Sequence, residues 1–174
     1  MMIRRHRAVL VLGWLVVMLV AGFAIVGHER TLREGEFVLL ELTPVDPRSL
    51  MQGDFMRLGY AIDRQLATQQ RQRDPEALPP LVHIVVDEQR RGRFLQVADW
   101  PAQEPEVLTL RLRRQSGQYS VGPDAFFFQE GTAERYEPAR WGGFRVAANG
   151  HAILVSLHDE ALEKLGTDPL PSEK

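Results

Sequence analysis

The sequence predicts a mainly β protein in which an N-terminal single transmembrane helix is followed by a β-sandwich or partly open barrel with short helices. Residues 8–27 carry no charge. The remaining chain contains about seven to nine strand-like runs at roughly ten-residue spacing. Asn149-Gly150 separates two alternating runs, which is the strongest short-range hairpin signal. We therefore expect a basic N-terminus at 1–7, a signal-anchor at 8–27 and an exported β-rich domain at 28–174.

The charge-free segment predicts a membrane anchor. As a helix, residues 8–27 would be about 30 Å long, which matches the hydrocarbon thickness of a bilayer. Arg4, Arg5 and Arg7 precede it, so the N-terminus is expected in the cytoplasm and the domain in the periplasm, on the outer side of a bacterial inner membrane. A cleaved signal peptide, cut near Gly-Phe-Ala at residues 22–24, is the alternative, but the length of the segment favours an uncleaved anchor.

The charge distribution bears on the partners. The chain has 21 Lys+Arg and 23 Asp+Glu, a net charge of −2. Three of the basic residues precede the span, so the body carries 18 basic against 23 acidic residues, a net charge of −5. This argues against nucleic acid and against polybasic attachment to anionic lipid. Two arginine-rich runs, at 90–93 and 111–114, are expected to be solvated strand edges, with contact to an anionic polymer or a partner as the alternative.

The residue inventory excludes several kinds of chemistry. Cysteine is absent, which excludes a disulfide scaffold, a thiol nucleophile, an iron–sulfur cluster and a zinc ribbon. Ser49 precedes a Gly-Asp pair, as in exported serine–lysine peptidases. The only lysines are Lys164 and Lys174, so the general base of such a peptidase is absent from the region where it is needed. The histidines lack the spacing of metal ligands. We expect no catalytic residue, no metal site and no cofactor.

The elements follow from alternation and turn residues. Helical turns are predicted within 130–140 and at 159–165, the latter capped by Gly166, while 63–73 is a surface helix or a loop. The aromatic residues at 126–128, with Trp100, Tyr136 and Trp141, are expected in the core, with a pocket lining as the alternative. The predicted strands are 36–43, 55–62, 81–88, 93–100, 107–114, 118–121, 125–128, 143–148 and 151–158.

The most specific stretch begins with two polar turns. Asp46-Pro47-Arg48 and Gly53-Asp54 place aspartates where their side chains can cap backbone N–H groups. Gly53 supplies a positive φ, and Arg48 can pair with either aspartate. These residues are predicted to lock the turns structurally, with a ligand-binding or partner-binding loop as the alternative.

A strand is predicted directly after these turns. Its alternation places Met56, Leu58, Tyr60 and Ile62 on one face and Phe55 on the other. A row of four apolar side chains needs a core to cover it, so we expect a strand central to the fold.

Residues 53–60, Gly-Asp-Phe-Met-Arg-Leu-Gly-Tyr, resemble the naming motif of the GDYXXLXY family of bacterial membrane-anchored proteins. The Asp-Pro-Arg at 46–48 is similar to the family's lead-in. Gly143, Phe144 and Arg145, with the hairpin at 150–159, look like its C-terminal block. Phe55 stands where the family has tyrosine, which indicates that the ring rather than the hydroxyl is needed.

The resemblance implies a topology and a partner but no mechanism, because the family has no established activity. We expect a non-enzymatic, membrane-anchored module that associates with a multi-span membrane protein. The alternative is an exported binding domain for a small molecule or envelope polymer, using residues 46–60. A carboxylate-dependent hydrolase working through Asp54 is a third. A closed interior behind Tyr60 would favour the module, and a wide polar cleft at Asp54 would favour a ligand or an enzyme.

Overall fold

The computed structural model describes residues 2–43, 55–72, 79–115 and 117–166, with side chains except those of residues 2–11, 72 and 115. Helix α1, Met2–Glu34, includes the predicted span and continues past it to Glu34. Two i,i+4 ion pairs, Arg30 with Glu34 at 2.7 Å and Arg33 with Glu29 at 2.8 Å, stabilise this polar extension. The helix is long and apolar enough to cross a membrane, and its most apolar stretch is not buried by any other described residue.

The described residues form ten strands and one further α-helix after α1. Helix α2 is Ala61–Gln72, and a 3₁₀ turn occupies Ala133–Arg135. The strands are β1 Glu36–Glu41, β2 Phe55–Arg57, β3 Leu81–Val86, β4 Arg91–Ala98, β5 Val107–Arg111, β6 Arg113–Gln115, β7 Gln118–Ser120, β8 Ala125–Phe127, β9 Trp141–Val146 and β10 Ala152–His158.

Six of these strands form one curled sheet in the order β10-β9-β1-β4-β3-β5. Only β1 and β4 run parallel among its neighbours. At the open side, the backbone N–H of Arg111 at the end of β5 donates to the carbonyl of Gly150 between β9 and β10, at 2.8 Å. The edges of the sheet therefore approach each other, as in a partly open barrel. The prediction of a mainly β fold behind an apolar helix is confirmed.

The core lies on the inner face of the curled sheet. Val38 and Leu40 of β1 point inward, beside Gly92 of β4, where a Cβ atom would come within about 3 Å of both of them. Helix α2 covers this face with Ile62 and Leu66, which are buried. The helix is therefore part of the core packing and more than the surface feature predicted for 63–73.

The C-terminal hairpin is present, but its turn differs from the expected type. A type I′ turn needs positive φ at both central residues, whereas only Gly150 has it, at 82°. The Gly150 N–H donates to the Ala147 carbonyl, and the Ala147 N–H donates to the His151 carbonyl. The loop is thus a three-residue turn closed by a left-handed glycine.

Residues 159–165 form turns, so the predicted terminal helix is wrong. The Asp159 carboxylate accepts the Glu163 N–H at 2.9 Å, and Lys164 forms an isolated bridge with His158. Leu162 adopts φ 67°, which a helix cannot contain. The short-range hydrogen bonds of Asp159 favour a turn over the helical alternative.

The predicted aromatic core is only partly present. Phe126, Phe128 and Tyr136 pack against the core cluster, but Phe127 is 74% exposed and Trp100 is 68% exposed. Adjacent residues on a strand point to opposite faces, so a run of three phenylalanines cannot bury all its rings on one side.

Candidate functional site

The five polar-turn residues predicted before the motif strand, Asp46, Pro47, Arg48, Gly53 and Asp54, lie outside the described residues. Their caps and arginine pairing therefore stay predictions. The second half of the motif is described, and it brings the remaining predicted residues together with several that the sequence reasoning missed.

Phe55 begins the described half of the motif in the ribbon formed by β2 and β8. It lies opposite Phe127 in the register, and the two ring centroids are 5.7 Å apart. Phe55 is half-buried, whereas Phe127 is largely exposed. The two rings are tilted by 41° to each other, and their contact involves no hydroxyl group. That the ring rather than the hydroxyl is needed at this position stays a prediction.

The apolar row of the motif is buried as predicted, but it does not form a central strand. Met56, Leu58, Tyr60 and Ile62 are all buried. Among the described strands, β2 pairs with β8 alone and lies outside the six-stranded sheet. The chain ends β2 at residue 57 and enters α2 at residue 61. The alternation of residues 55–62 continues into the first turn of α2, so alternation alone predicted a strand longer than the observed β2.

Tyr60 is the most deeply buried of the described motif residues, with 1% of its surface exposed. Its ring meets Phe144 edge-on, with centroids 5.7 Å apart. Gly122 provides the space, because a Cβ atom there would lie 2.6 Å from the Tyr60 ring. The Tyr60 hydroxyl donates to the Pro123 carbonyl at 2.8 Å. Burial raises the pKa of this phenol above its usual range, so it remains a neutral donor.

A cleft of about 410 Å³ opens beside Tyr60. Its size falls within the range of small-molecule sites. The interior behind Tyr60 is closed, and the neighbouring cleft has a mixed polar and apolar lining. Asp54, where a wide polar cleft would favour a ligand or an enzyme, lies outside the described residues. The cleft is lined by Thr43, Leu58, Gly59, Tyr60, Asp63, Arg64, Ala67, Gln70, Gln118, Tyr119, Ser120 and Asp124.

Asp63 is the principal titratable group of the cleft. It lies in the first turn of α2 and accepts hydrogen bonds from the Ser120 hydroxyl at 2.8 Å and the Val121 N–H at 3.3 Å. Burial raises the pKa of its carboxyl to about 6, while these hydrogen bonds lower it. A carboxyl in a cleft that changes charge near neutral pH is a candidate for proton-linked binding. The sequence reasoning missed it, although an acidic residue in a first helical turn is a usable signal.

Thr43 lines the cleft, but its hydroxyl is enclosed. Its backbone N–H donates to the Gly59 carbonyl at 2.8 Å. Its Oγ1 atom is buried and makes no hydrogen bond to any residue that the structure describes. A buried hydroxyl without a partner is costly, and the enclosed Oγ1 atom is not open to a ligand in the cleft.

The predicted C-terminal block lies on β9 and divides between the two faces of the sheet. Phe144 points inward to Tyr60, so the two motif regions of the family meet in the core. Gly143 faces outward under the Phe37 ring, which leaves no room for a Cβ atom. Arg145 stacks over Phe37 at 5.7 Å and donates to the Gly35 carbonyl at 2.9 Å. Phe144 and Arg145 thus connect the motif and the end of α1 through one strand.

A serine–histidine pair on β10 was not anticipated. Ser156 Oγ lies 2.9 Å from His158 Nε2, and His158 Nδ1 lies 2.9 Å from the Leu162 carbonyl. A carbonyl only accepts, so Nδ1 carries the hydrogen and Nε2 accepts from Ser156. This order is that of an activated serine, but Ser156 is 6% exposed and His158 8% exposed. The enclosed position makes the pair a structural polar contact.

The described histidine side chains have protein neighbours. His83 Nε2 lies 3.0 Å from the Trp100 carbonyl, and His28 contacts His151 through their rings. Among the residues whose placement is described, no group of three His, Asp or Glu side chains is arranged to hold a metal ion.

Together these features define a partly open β-barrel domain carried on one helix that is apolar enough to span a membrane. The GDYXXLXY protein family model matches residues 17–157, which include the end of the apolar helix, the motif and the C-terminal block. The chain belongs to the GDYXXLXY family, and the resemblance drawn from residues 53–60 is confirmed. No curated protein and no solved structure matches the chain.

Proposed function

We propose that this protein is a membrane-anchored, exported module that associates with a multi-span membrane protein and has no catalytic activity of its own. The observation that carries the proposal is the direct connection between α1 and the barrel. Strand β1 begins two residues after the helix ends, and the intervening Gly35 is buried against Val146. The barrel is thereby held at the end of the apolar helix, where a membrane partner is within reach.

The orientation follows from charge. Arg4, Arg5 and Arg7 precede the apolar segment, which favours a cytoplasmic N-terminus and a periplasmic barrel at a bacterial inner membrane. The net charge of −5 in the body supports a protein rather than a nucleic acid as partner. The enclosed Ser156–His158 pair supports a non-catalytic role, because substrate cannot reach the serine hydroxyl.

The two-stranded ribbon formed by β2 and β8 offers a surface for the partner. Phe127 is exposed beside Phe55 and next to the motif. Exposed aromatic rings that pack on a half-buried neighbour are rigid contact groups, and such groups dominate binding energy at interfaces. The ribbon is therefore where we place the contact with the partner.

The test is affinity purification of the full chain, tagged after Lys174, from detergent-solubilised membranes. We expect a multi-span protein to copurify in stoichiometric amount with the wild type and to be lost with Phe127→Ser. Leu95→Ser, which also removes an exposed apolar side chain, on β4, is the control and should retain the partner. Purification of the chain alone, or loss of the partner in both variants, would contradict the proposed surface.

A second function is favoured by the cleft, which can bind a small polar ligand or a fragment of an envelope polymer. Asp63, on the wall of the cleft, supplies the recognition group. Soluble peptidoglycan fragments should then raise the melting temperature of the full chain in detergent but not that of Asp63→Asn. An equal shift in both proteins would reject the cleft as the binding site.

A further inference from the structure

Four basic side chains from three separate parts of the chain meet where α1 joins the barrel. His28 is on α1, Arg111 and Arg113 lie on β5 and β6, and His151 follows the turn between β9 and β10. We call these four residues the junction cluster. His28, Arg111 and Arg113 are exposed and His151 is half-buried, so the cluster is accessible.

The contacts within the junction cluster are close. The rings of His28 and His151 are 5.7 Å apart and nearly perpendicular. Arg113 Nη2 lies 3.4 Å from His151 Nε2 and donates to the Ala152 carbonyl at 3.3 Å. The Arg111 backbone is fixed to the same turn by its hydrogen bond to the Gly150 carbonyl. Two arginines and two histidines are thus held together on one surface.

Three glutamates at the end of α1 and the start of β1 pair with arginines outside the junction cluster. Glu29 and Glu34 pair with arginines on α1, and Glu36 pairs with Arg90 at 3.2 Å. Within the described residues, neither arginine of the junction cluster has a carboxylate within ion-pair distance. The pKa of His151 is lowered, by burial first and then by the positive charges of Arg113, His28 and Arg111. The local charge is therefore positive although the body as a whole is acidic.

The sequence gives the depth of the junction cluster. His28 directly follows the charge-free segment 8–27, whose helix length of about 30 Å equals the hydrocarbon thickness. A polar layer of about 5–8 Å lies outside each face of that hydrocarbon core. His151 contacts His28, and Arg113 contacts His151. These side chains therefore lie at about the depth of His28, within the headgroup layer of the leaflet that faces the barrel.

We propose that the junction cluster binds the phosphate of an anionic phospholipid headgroup. The guanidinium groups of Arg111 and Arg113 offer forked donors that match phosphate oxygens, and the imidazoles of His28 and His151 add further N–H donors. The inference rests on the proposed membrane anchor. Binding of the headgroup neutralises the cluster and fixes the height and rotation of the barrel on the bilayer.

The experiment uses the full chain in phosphatidylcholine bilayers containing a trace of spin-labelled lipid. The relative association constant of labelled phosphatidylglycerol over labelled phosphatidylcholine is measured by electron paramagnetic resonance. We expect the wild type to prefer phosphatidylglycerol, and Arg111→Gln/Arg113→Gln to lower the preference by about fivefold for each arginine removed. Arg57→Gln/Arg93→Gln, an equal loss of charge on exposed arginines of β2 and β4, is the control and should keep the preference.

The outcomes distinguish a failure of the proposed headgroup site from a failure of the proposed membrane anchor. Absence of any motionally restricted lipid would contradict the anchor itself. Restricted lipid without preference for phosphatidylglycerol in the wild type would overturn the headgroup site alone. An equal loss of preference in both double variants would also overturn it, because it would show attraction by overall charge. Melting temperatures of both variants near that of the wild type confirm that the barrel is folded.

Discussion

The apolar helix and the barrel interior contain the same residue types in opposite environments. On α1, Leu19 is 71% exposed and Phe23 is 81% exposed. In the barrel, Leu66 and Phe144 have no exposed surface at all. The barrel covers its own apolar residues with a curled sheet and a helix, whereas no described element covers the apolar segment of α1.

The difference shows that the described part of the barrel covers its own apolar core and that the apolar segment of α1 needs an apolar environment from elsewhere. Burial of a leucine or phenylalanine side chain stabilises by about 1.5–3 kcal/mol, so an uncovered helix of this composition would be unfavourable in water. A lipid bilayer would satisfy this requirement. Substitutions in the two regions should therefore have unequal effects on the unfolding of the barrel, and matched pairs can measure the inequality.

The largest effect is expected for Leu58→Ala in the motif. Leu58 is buried in the core cluster, so truncation removes apolar contacts and leaves a cavity. We expect the free energy of unfolding to fall by about 2–5 kcal/mol, measured by chemical denaturation in detergent. Leu19→Ala on α1 is the matched control and should leave the barrel transition unchanged. Equal effects of the two variants would contradict the contrast.

The next effect is expected for Gly122→Ala. The added Cβ atom would lie 2.6 Å from the Tyr60 ring and 2.8 Å from Phe144, so one ring must move. Such overpacking costs about 1–3 kcal/mol, visible as a lower melting temperature. Gly22→Ala, where nothing lies within 4 Å of the new Cβ atom, should produce no loss. A stable Gly122→Ala protein would show that the Tyr60–Phe144 contact is loose.

The stability of the barrel is expected to depend on pH through Asp63. Burial raises the pKa of Asp63 from its ordinary 3.8 to about 6. The folded state therefore binds the Asp63 proton more tightly than the unfolded state does. The resulting stabilisation of the folded state is fully present below about pH 4 and is lost as the pH rises through 6. Asp63→Asn should gain on the order of 1–2 kcal/mol relative to wild type between pH 4 and pH 7.

The control for this measurement is Asp99→Asn, which removes an exposed carboxylate. Thermal denaturation from pH 4 to pH 8 should give parallel curves for this control and the wild type, and a flatter curve for Asp63→Asn. A wild-type curve already as flat as that of Asp63→Asn would mean that Asp63 is better solvated than its position in the cleft indicates.

The smallest effect is expected for Thr43→Val. The Thr43 hydroxyl is buried without a partner among the described residues, so replacing it by a methyl group of similar shape removes no hydrogen bond. The melting temperature should stay within a few degrees of the wild type or rise. Thr31→Val is the contrasting variant, because its hydroxyl donates to the Gly27 carbonyl at 3.0 Å. A large loss from Thr43→Val would reveal a hydrogen-bond partner.

The sequence predicted the features that depend on local pattern. The charge-free segment predicted the helix, alternation predicted the strands, and Asn149-Gly150 predicted the hairpin. The burial of Leu58 and Tyr60 also followed from alternation alone. These signals depend on residues close in sequence, so no tertiary information was needed.

The features that depend on tertiary contacts were not predictable. The cleft requires Thr43, Asp63 and Ser120, which come from separate elements that meet only when the sheet curls. The junction cluster likewise brings His28 beside His151. The pairing of β2 with β8, which places Phe55 opposite Phe127, also depends on tertiary contact.

The central claim is that α1 spans the membrane with the barrel outside, and cysteine accessibility tests it most directly, since the chain has no cysteine of its own. Gln103→Cys places a thiol on an exposed loop of the barrel, and His6→Cys places one before the apolar segment. With a membrane-impermeant maleimide on intact spheroplasts, we predict labelling of Gln103→Cys in a full-length band of about 19.8 kDa, and labelling of His6→Cys only after lysis. The reverse pattern, or a shorter labelled protein released from the membrane, would contradict the claim.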